Sequence, residues 1–309
     1  MAGDRRALAR AITLVESSRA DHRSDAAGLL DALVSHTGHA TRLGISGAPG
    51  VGKSTFIEVF GVHLVEQGHR VAVLAVDPSS TRSGGSVLGD KTRMEELARR
   101  PEAYIRPSPS GGAVGGVTRR TREAMVVCEA AGFDVVVVET VGVGQSEIEV
   151  DEMVDLFLLL VAPGSGDDLQ GMKRGITEIA DLVVVTKADG ALAGPAQQAA
   201  ADYRMALHFM RPKHASTEAV VLLCSAVAGV GIAEVWNGCV ATRAKLVGSG
   251  ELDARRSVQV RQWFWSEVRE RLVAKLHDEP ARAARVAELE RRVMAGEVSP
   301  LAAATDLVE

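Results

Sequence analysis

The stretch Gly47-Ala48-Pro49-Gly50-Val51-Gly52-Lys53-Ser54-Thr55 decides the fold of this chain. It completes the pattern G-x-x-x-x-G-K-[ST] between an apolar run, RLGIS (42–46), and a helical pattern, STFIEVFGVHLVEQG (54–68). In such a loop the glycines let consecutive backbone N–H groups turn toward phosphate oxygens. Lys53 then reaches the β- and γ-phosphates, and the Ser54 hydroxyl ligates magnesium. The helix that follows adds the positive end of its dipole. Strand, loop and helix in this order imply a nucleoside-triphosphate site.

Outward from that loop, short β-branched runs alternate with helical segments: RVAVLAVD (70–77), FDVVVVET (133–140), LFLLLVA (156–162), DLVVVTKAD (181–189) and AVVLLCSA (219–226). Nearly continuous apolar strands between amphipathic helices predict a mostly parallel sheet buried on both faces, the doubly wound α/β class built on a P-loop NTPase core. Ligands of such sheets lie at the carboxyl ends of the strands. Helical extensions flank this core. The pattern Asp4 to Ser18 sets Leu8, Ile12 and Val15 on one face, and Ser24 to Ser35 does the same for Leu29, Leu30 and Leu33. Past about Gly248 the strand signal stops. Trp265, Val268, Leu272 and Leu276 fall at helical spacing, and Pro280 opens a further helix carrying Val286, Leu289 and Val293. The expected division is an N-terminal helical arm (1–41), the core (42–248) and a C-terminal helical arm (249–309). For Trp263, Phe264 and Trp265, packing within the chain, a dimer interface and ligand binding all remain open.

Composition narrows the function. With 35 basic against 40 acidic residues the net charge is −5, which offers no global attraction for nucleic acid or an anionic membrane. No apolar run approaches the roughly 18 residues of a spanning helix. The first 18 residues carry charges where a secretory signal needs its apolar centre, so a cytoplasmic location is expected. Cys128, Cys224 and Cys239 form no C-x-x-C pair and read as small buried hydrophobes.

Three carboxylates compete for a magnesium site: Asp77 and Glu139, each closing a strand, and Asp90 in the polar loop 79–93. A strand-terminal carboxylate also caps helices. Glu139 gains from its continuation T-V-G-V-G-Q, a flexible turn suited to sensing a γ-phosphate. Farther on, Thr186-Lys187-Ala188-Asp189 supplies a carboxylate able to accept from both the ring N–H and the exocyclic amine of guanine, while the Lys187 stem lies along a base plane. Ser225 and Ala226, with Val227, follow another strand and can offer a backbone N–H to the guanine oxygen.

Taken together, GAPGVGKST, VDPSS followed by GDKTRM, ETVGVGQSE, SGDDLQGMKRGITEIAD (165–181), TKADG and the helical C-terminus resemble the MeaB/ArgK family of P-loop GTPases. These are chaperones of adenosylcobalamin-dependent methylmalonyl-CoA mutase. The resemblance covers most of the chain. It implies that GTP and GDP are the ligands, that Ser54, Asp77, Asp90 and Glu139 surround Mg2+ directly or through water, and that Lys187 and Asp189 read guanine. It further implies that the loop 166–175 is a switch able to bring Lys173 toward the phosphates, doing the work of an arginine finger. Arg93 is a weaker candidate for that charge. The C-terminal helices are implied to form a homodimer arm. The family usually has Asn where Thr186 stands; threonine can donate one hydrogen bond but cannot copy the amide.

The expected activity is slow GTP hydrolysis, with Lys53, Lys173, Glu139 and Asp90 as the catalytic set and the mutase as partner. Two other classes compete. A nickel-delivery GTPase needs a thiolate or histidine cluster, and a transport-associated kinase needs ATP selectivity and a membrane partner.

Overall fold

The computed structural model describes residues 4–17, 19–76, 94–107, 114–140, 146–164 and 174–308. The chain forms two compact units, Met1–Arg256 and Ser257–Glu309. In the first, the described residues form one parallel sheet of seven strands: β1 (Thr41–Gly47), β2 (Val71–Val76), β3 (Ala103–Arg106), β4 (Val135–Thr140), β5 (Leu156–Val161), β6 (Leu182–Val185) and β7 (Val220–Leu223). Their order across the sheet is β3-β2-β4-β1-β5-β6-β7. This is the doubly wound architecture the strand pattern predicts, with β1, which leads into the phosphate loop, in the centre.

Among the described residues the helices of this unit are α1 (Arg5–Val15), α2 (Ala20–Leu33), α3 (Lys53–Glu66), α4 (Glu95–Arg99), α5 (Val114–Ala130), α6 (Ser146–Asp151), α7 (Arg174–Glu178), α8 (Ala193–His208) and α9 (Ile232–Ser249). Side chains alternate between the two faces of a strand, and the core divides accordingly. On one face Leu74 and Val76 of β2, Val136 and Val138 of β4, and Phe157 and Leu159 of β5 pack with Leu8, Ile12 and Val15 of α1, Cys128 of α5 and Tyr203 of α8. On the other, Leu43 and Ile45 of β1, Val73 of β2 and Leu158 of β5 pack with Phe56, Phe60 and Leu64 of α3 and Cys239 of α9. The apolar stripe of α1 is thus built into the main core. Asp4 begins that helix by accepting from the N–H groups of Arg6 and Ala7. α2 starts at Ala20, four residues before the predicted Ser24.

The strand β3 lies outside the predicted set. Its four residues, AYIR, alternate buried and half-buried at the sheet edge. That run is too short to stand out from a loop, and only pairing with β2 makes it a strand.

At the amino ends of the strands, acids meet cations in buried pairs. Asp155 is fully buried before β5, accepts from the Arg42 N–H at 3.0 Å and pairs with Arg256 at 2.7 Å. Asp181, before β6, accepts from the Phe157 N–H, Lys213 and His214. Burial opposes its charge, but Lys213, His214 and the Phe157 N–H outweigh that and hold its carboxyl below the usual range. These pairs fix the rim opposite the phosphate loop, leaving the carboxyl ends of the strands for chemistry.

A long helix, α10 (Glu251–Asp278), begins in the first unit and runs into the second, where α11 (Pro280–Met294) and α12 (Pro300–Val308) follow. Pro280 occupies the first helical position, where its missing N–H costs nothing. Val286 and Leu289 of α11 are buried, whereas Phe264, Trp265 and Leu272 of α10 are more than half exposed.

Candidate nucleotide site

The phosphate loop leaves β1 at Gly47. A Cβ there would stand 2.4 Å from the Leu160 carbonyl oxygen of β5, so only glycine allows the central strand to turn so close to its neighbour. Gly52, with φ +99°, takes the left-handed conformation that delivers the chain into α3. Lys53 is the first residue of that helix, and its Nζ donates to the carbonyls of Gly47 at 2.7 Å and Ala48 at 3.3 Å. The ammonium is thereby held across the loop. Partial burial lowers its pKa, while the carboxylates of Glu139 and Glu147 pull in the other direction. An anion reaching this loop meets a partly desolvated cation and the N–H groups of a helix start.

Glu139, next to last in β4, is in register with Ile45 of β1 and Ala75 of β2 and is only 4% exposed. Ser54 stands half-buried on the first turn of α3. A hydroxyl and a carboxylate are suitable oxygen donors for magnesium, which usually takes only one or two carboxylates from a protein and leaves the other positions to phosphate and water. The residues present therefore fit that ion. Asp77, Asp90, Arg93 and Lys173 lie outside the described residues.

The loop 186–189 is tied to the phosphate loop twice. Thr186 Oγ1 donates to the Val51 carbonyl at 2.8 Å, and Lys187 Nζ donates to the Gly50 carbonyl at 2.8 Å. Lys187 has φ +55°, a left-handed conformation uncommon for a residue with a side chain. From the neighbouring strand end, Ser225 Oγ donates to Asp189 Oδ1 at 2.6 Å, and the Ala188 N–H donates to the Cys224 carbonyl at 3.1 Å. The Ser225 hydroxyl also accepts from the Ala228 N–H, which closes the turn holding Ala226 and the exposed Val227. The motif residues 47–55, Thr186, Lys187, Asp189, Ser225 and Glu139 thus all lie at the carboxyl ends of the parallel strands. Sequence reasoning did not supply the Ser225 clamp on Asp189, the backbone twist at Lys187 or a buried contact between Thr140 and Ser46. A lone hydroxyl residue carries no periodic signal.

A family model described as "Methylmalonyl Co-A mutase-associated GTPase MeaB" matches residues 8–281. The chain belongs to the MeaB family. A "Putative GTPase" of Caulobacter vibrioides is 56% identical over 308 residues, spanning 100% of this chain and 94% of the relative. A "Methylmalonic aciduria type A homolog, mitochondrial" of Mus musculus is 48% identical over 317 residues, spanning 99% and 76%. A solved structure described as "Crystal structure of LAO/AO transport system kinase" is 39% identical, with a TM-score of 0.76 over 99% of this chain and 93% of that one. The MeaB-family chain is a P-loop GTPase, a nucleoside triphosphate hydrolase, and the site above is built on its phosphate loop.

Proposed function

We propose that this GTPase is a chaperone of adenosylcobalamin-dependent methylmalonyl-CoA mutase, assisting its assembly, cofactor loading and protection. The family description and the relative from Mus musculus support the mutase as client. The observation that carries the nucleotide reading is the Asp189 carboxylate gripped by Ser225 beside the twice-tied base loop. A carboxylate fixed there pairs with the ring N–H and amine of guanine, whereas adenine would leave it unpaired.

Residues 47–55 hold the phosphates of GTP. Lys53 exchanges its bonds to the Gly47 and Ala48 carbonyls for the β- and γ-phosphate oxygens, where its charge offsets charge developing on the transferred group. Ser54 and Glu139, with Asp77 and Asp90, would hold Mg2+ directly or through water, and the ion would supply further charge neutralisation. Thr186, Lys187 and Asp189 seat the base, with Ser225, Ala226 and Val227 beyond it. Lys173 completes the catalytic set when the client is bound, so hydrolysis by the protein alone is slow. The helices of 249–309 form the homodimer arm, beyond the core 42–248 and the N-terminal helices of 1–41. The location is cytoplasmic. Among the described residues no helix is long and apolar enough to cross a membrane.

Nickel delivery has less support. Cys128, Cys224 and Cys239 are buried, and desolvation pushes their thiols upward, that of Cys224 to about 12, away from the thiolate form a metal needs. For the transport-associated kinase, the name of the similar structure belongs to that protein, and the Asp189 geometry favours guanine over adenine.

The decisive experiment is calorimetric titration with GTP and ATP, followed by capture of a purified cobalamin-dependent mutase with a GTP analogue present. GTP should bind more tightly than ATP, Lys53→Ala should abolish GTP binding, and Lys173→Ala should remove only the client-stimulated hydrolysis. Equal affinity for the two nucleotides would sink the guanine assignment, and failure to retain the mutase would sink the chaperone one.

A further inference from the structure

We infer that Thr140, acting through Ser46, is a positioning residue for hydrolysis: it sets the distance between the phosphate loop and the strand end that presents Glu139. The inference rests on the reading of Glu139 as a magnesium-site acid. Both hydroxyl residues are 0% exposed, and Thr140 Oγ1 donates to Ser46 Oγ at 2.8 Å. Neither is needed to fill space. Valine and alanine have similar shapes, and burying two hydroxyls in an apolar sheet has a cost that their mutual bond offsets.

Register explains why the bond sits there. Among the described residues the β1–β4 ladder runs from Thr41↔Val135 to Ile45↔Glu139, and β1 pairs with β5 through Ser46↔Leu159 and Gly47↔Leu160. β4 likewise continues along β2 to Val76↔Thr140. The next two residues in register, Ser46 and Thr140, are joined by their side chains. By strand alternation Glu139 shares the face of Val135 and Val137, while Thr140 shares that of Val136 and Val138. The hydroxyl bond thus involves the sheet face opposite that of Glu139. Each partner is the immediate chain neighbour of a site residue, Ser46 of Gly47 and Thr140 of Glu139, so the bond restrains the gap between them.

The test compares Thr140→Val, Thr140→Ser, Ser46→Ala and Glu139→Gln in the full chain. The readouts are kcat and KM for GTP, the half-saturating Mg2+ for binding a fluorescent GTP analogue, and the thermal midpoint. Loss of one buried hydrogen bond predicts for Thr140→Val a kcat about fivefold to tenfold lower and a half-saturating Mg2+ raised by a similar factor, with KM changed less than about twofold. Thr140→Ser restores both to within about twofold. Ser46→Ala matches Thr140→Val, and the double variant is no worse than either single one, because one bond is lost in each case. If Thr140→Val fails to fold, Ser46→Ala decides alone. A lowered thermal midpoint with kcat and Mg2+ dependence unchanged would overturn the inference while Glu139→Gln still shifts the Mg2+ requirement. If Glu139→Gln shifts nothing, the reading of Glu139 falls and this inference with it.

Discussion

Replacing Thr186 by valine deletes one hydroxyl where the base loop meets the phosphate loop and keeps the branched shape. The hydroxyl has a single proton, and two carbonyls lie within reach, that of Val51 at 2.8 Å and that of Val161 at 3.1 Å. The Val161 oxygen already accepts the Thr186 backbone N–H at 2.8 Å, so it keeps a donor in the variant. Val51 is buried in the phosphate loop, and its carbonyl loses the Thr186 donor. An unmet buried acceptor of this kind costs about 1–1.5 kcal/mol, which corresponds to roughly a fivefold to tenfold weaker affinity if the tie orders the loop for nucleotide. The same loss lowers the melting temperature by about 2–4 °C for a unit of this size. Asp189 and its Ser225 clamp are untouched, so the ratio of GTP to ATP affinity stays fixed. Isothermal titration at constant magnesium, beside a melting curve, reads both quantities. A lowered melting temperature with unaltered GTP affinity refutes the idea that this tie serves the nucleotide, and a changed GTP-to-ATP ratio refutes the division of labour between Thr186 and Asp189.

Asp181→Asn should destabilise the protein by about 1.5–3 kcal/mol at neutral pH, because Lys213 and His214 lose a buried charged partner while keeping Asp151 and Glu251. The native carboxyl titrates below its unfolded value, so its contribution is fully present above about pH 3.9 and fades as pH falls through the lowered value. Denaturant melts of wild type and variant should therefore converge in strong acid, and a gap that persists there contradicts the pairing. On α10, Phe264 and Trp265 lie edge to face with centroids 5.4 Å apart and are 58% and 54% exposed. If they belong to a dimer arm, Trp265→Asp should convert a dimer to a monomer in light scattering; an unchanged mass excludes that role.

Much of the candidate site was legible because phosphate binding is written in local spacing. Gly47 to Thr55 between a strand and a helix requires no distant contact to be recognised, and the apolar runs of β1, β2, β4, β5, β6 and β7 announce a sheet buried on both faces. β3 was not legible, since AYIR becomes a strand only through the edge of β2. The stripe Trp265, Val268, Leu272 and Leu276 has helical spacing, yet spacing could not tell which of these side chains stay exposed.

What the sequence determined by itself was the identity and order of the chemical groups: a phosphate loop, an acid at a strand end, the loop Thr186-Lys187-Ala188-Asp189 and helical flanks. Each is a short pattern in which neighbours along the chain act together. Tertiary structure alone decided how these groups are held at working distance. Thr186 finds Val51 from 135 positions away and Thr140 finds Ser46 from 94, contacts that only the assembled sheet brings together. A parallel sheet joins segments through long crossovers, so partners across its central strands are remote in sequence, and the hydroxyls that bond there leave no local trace.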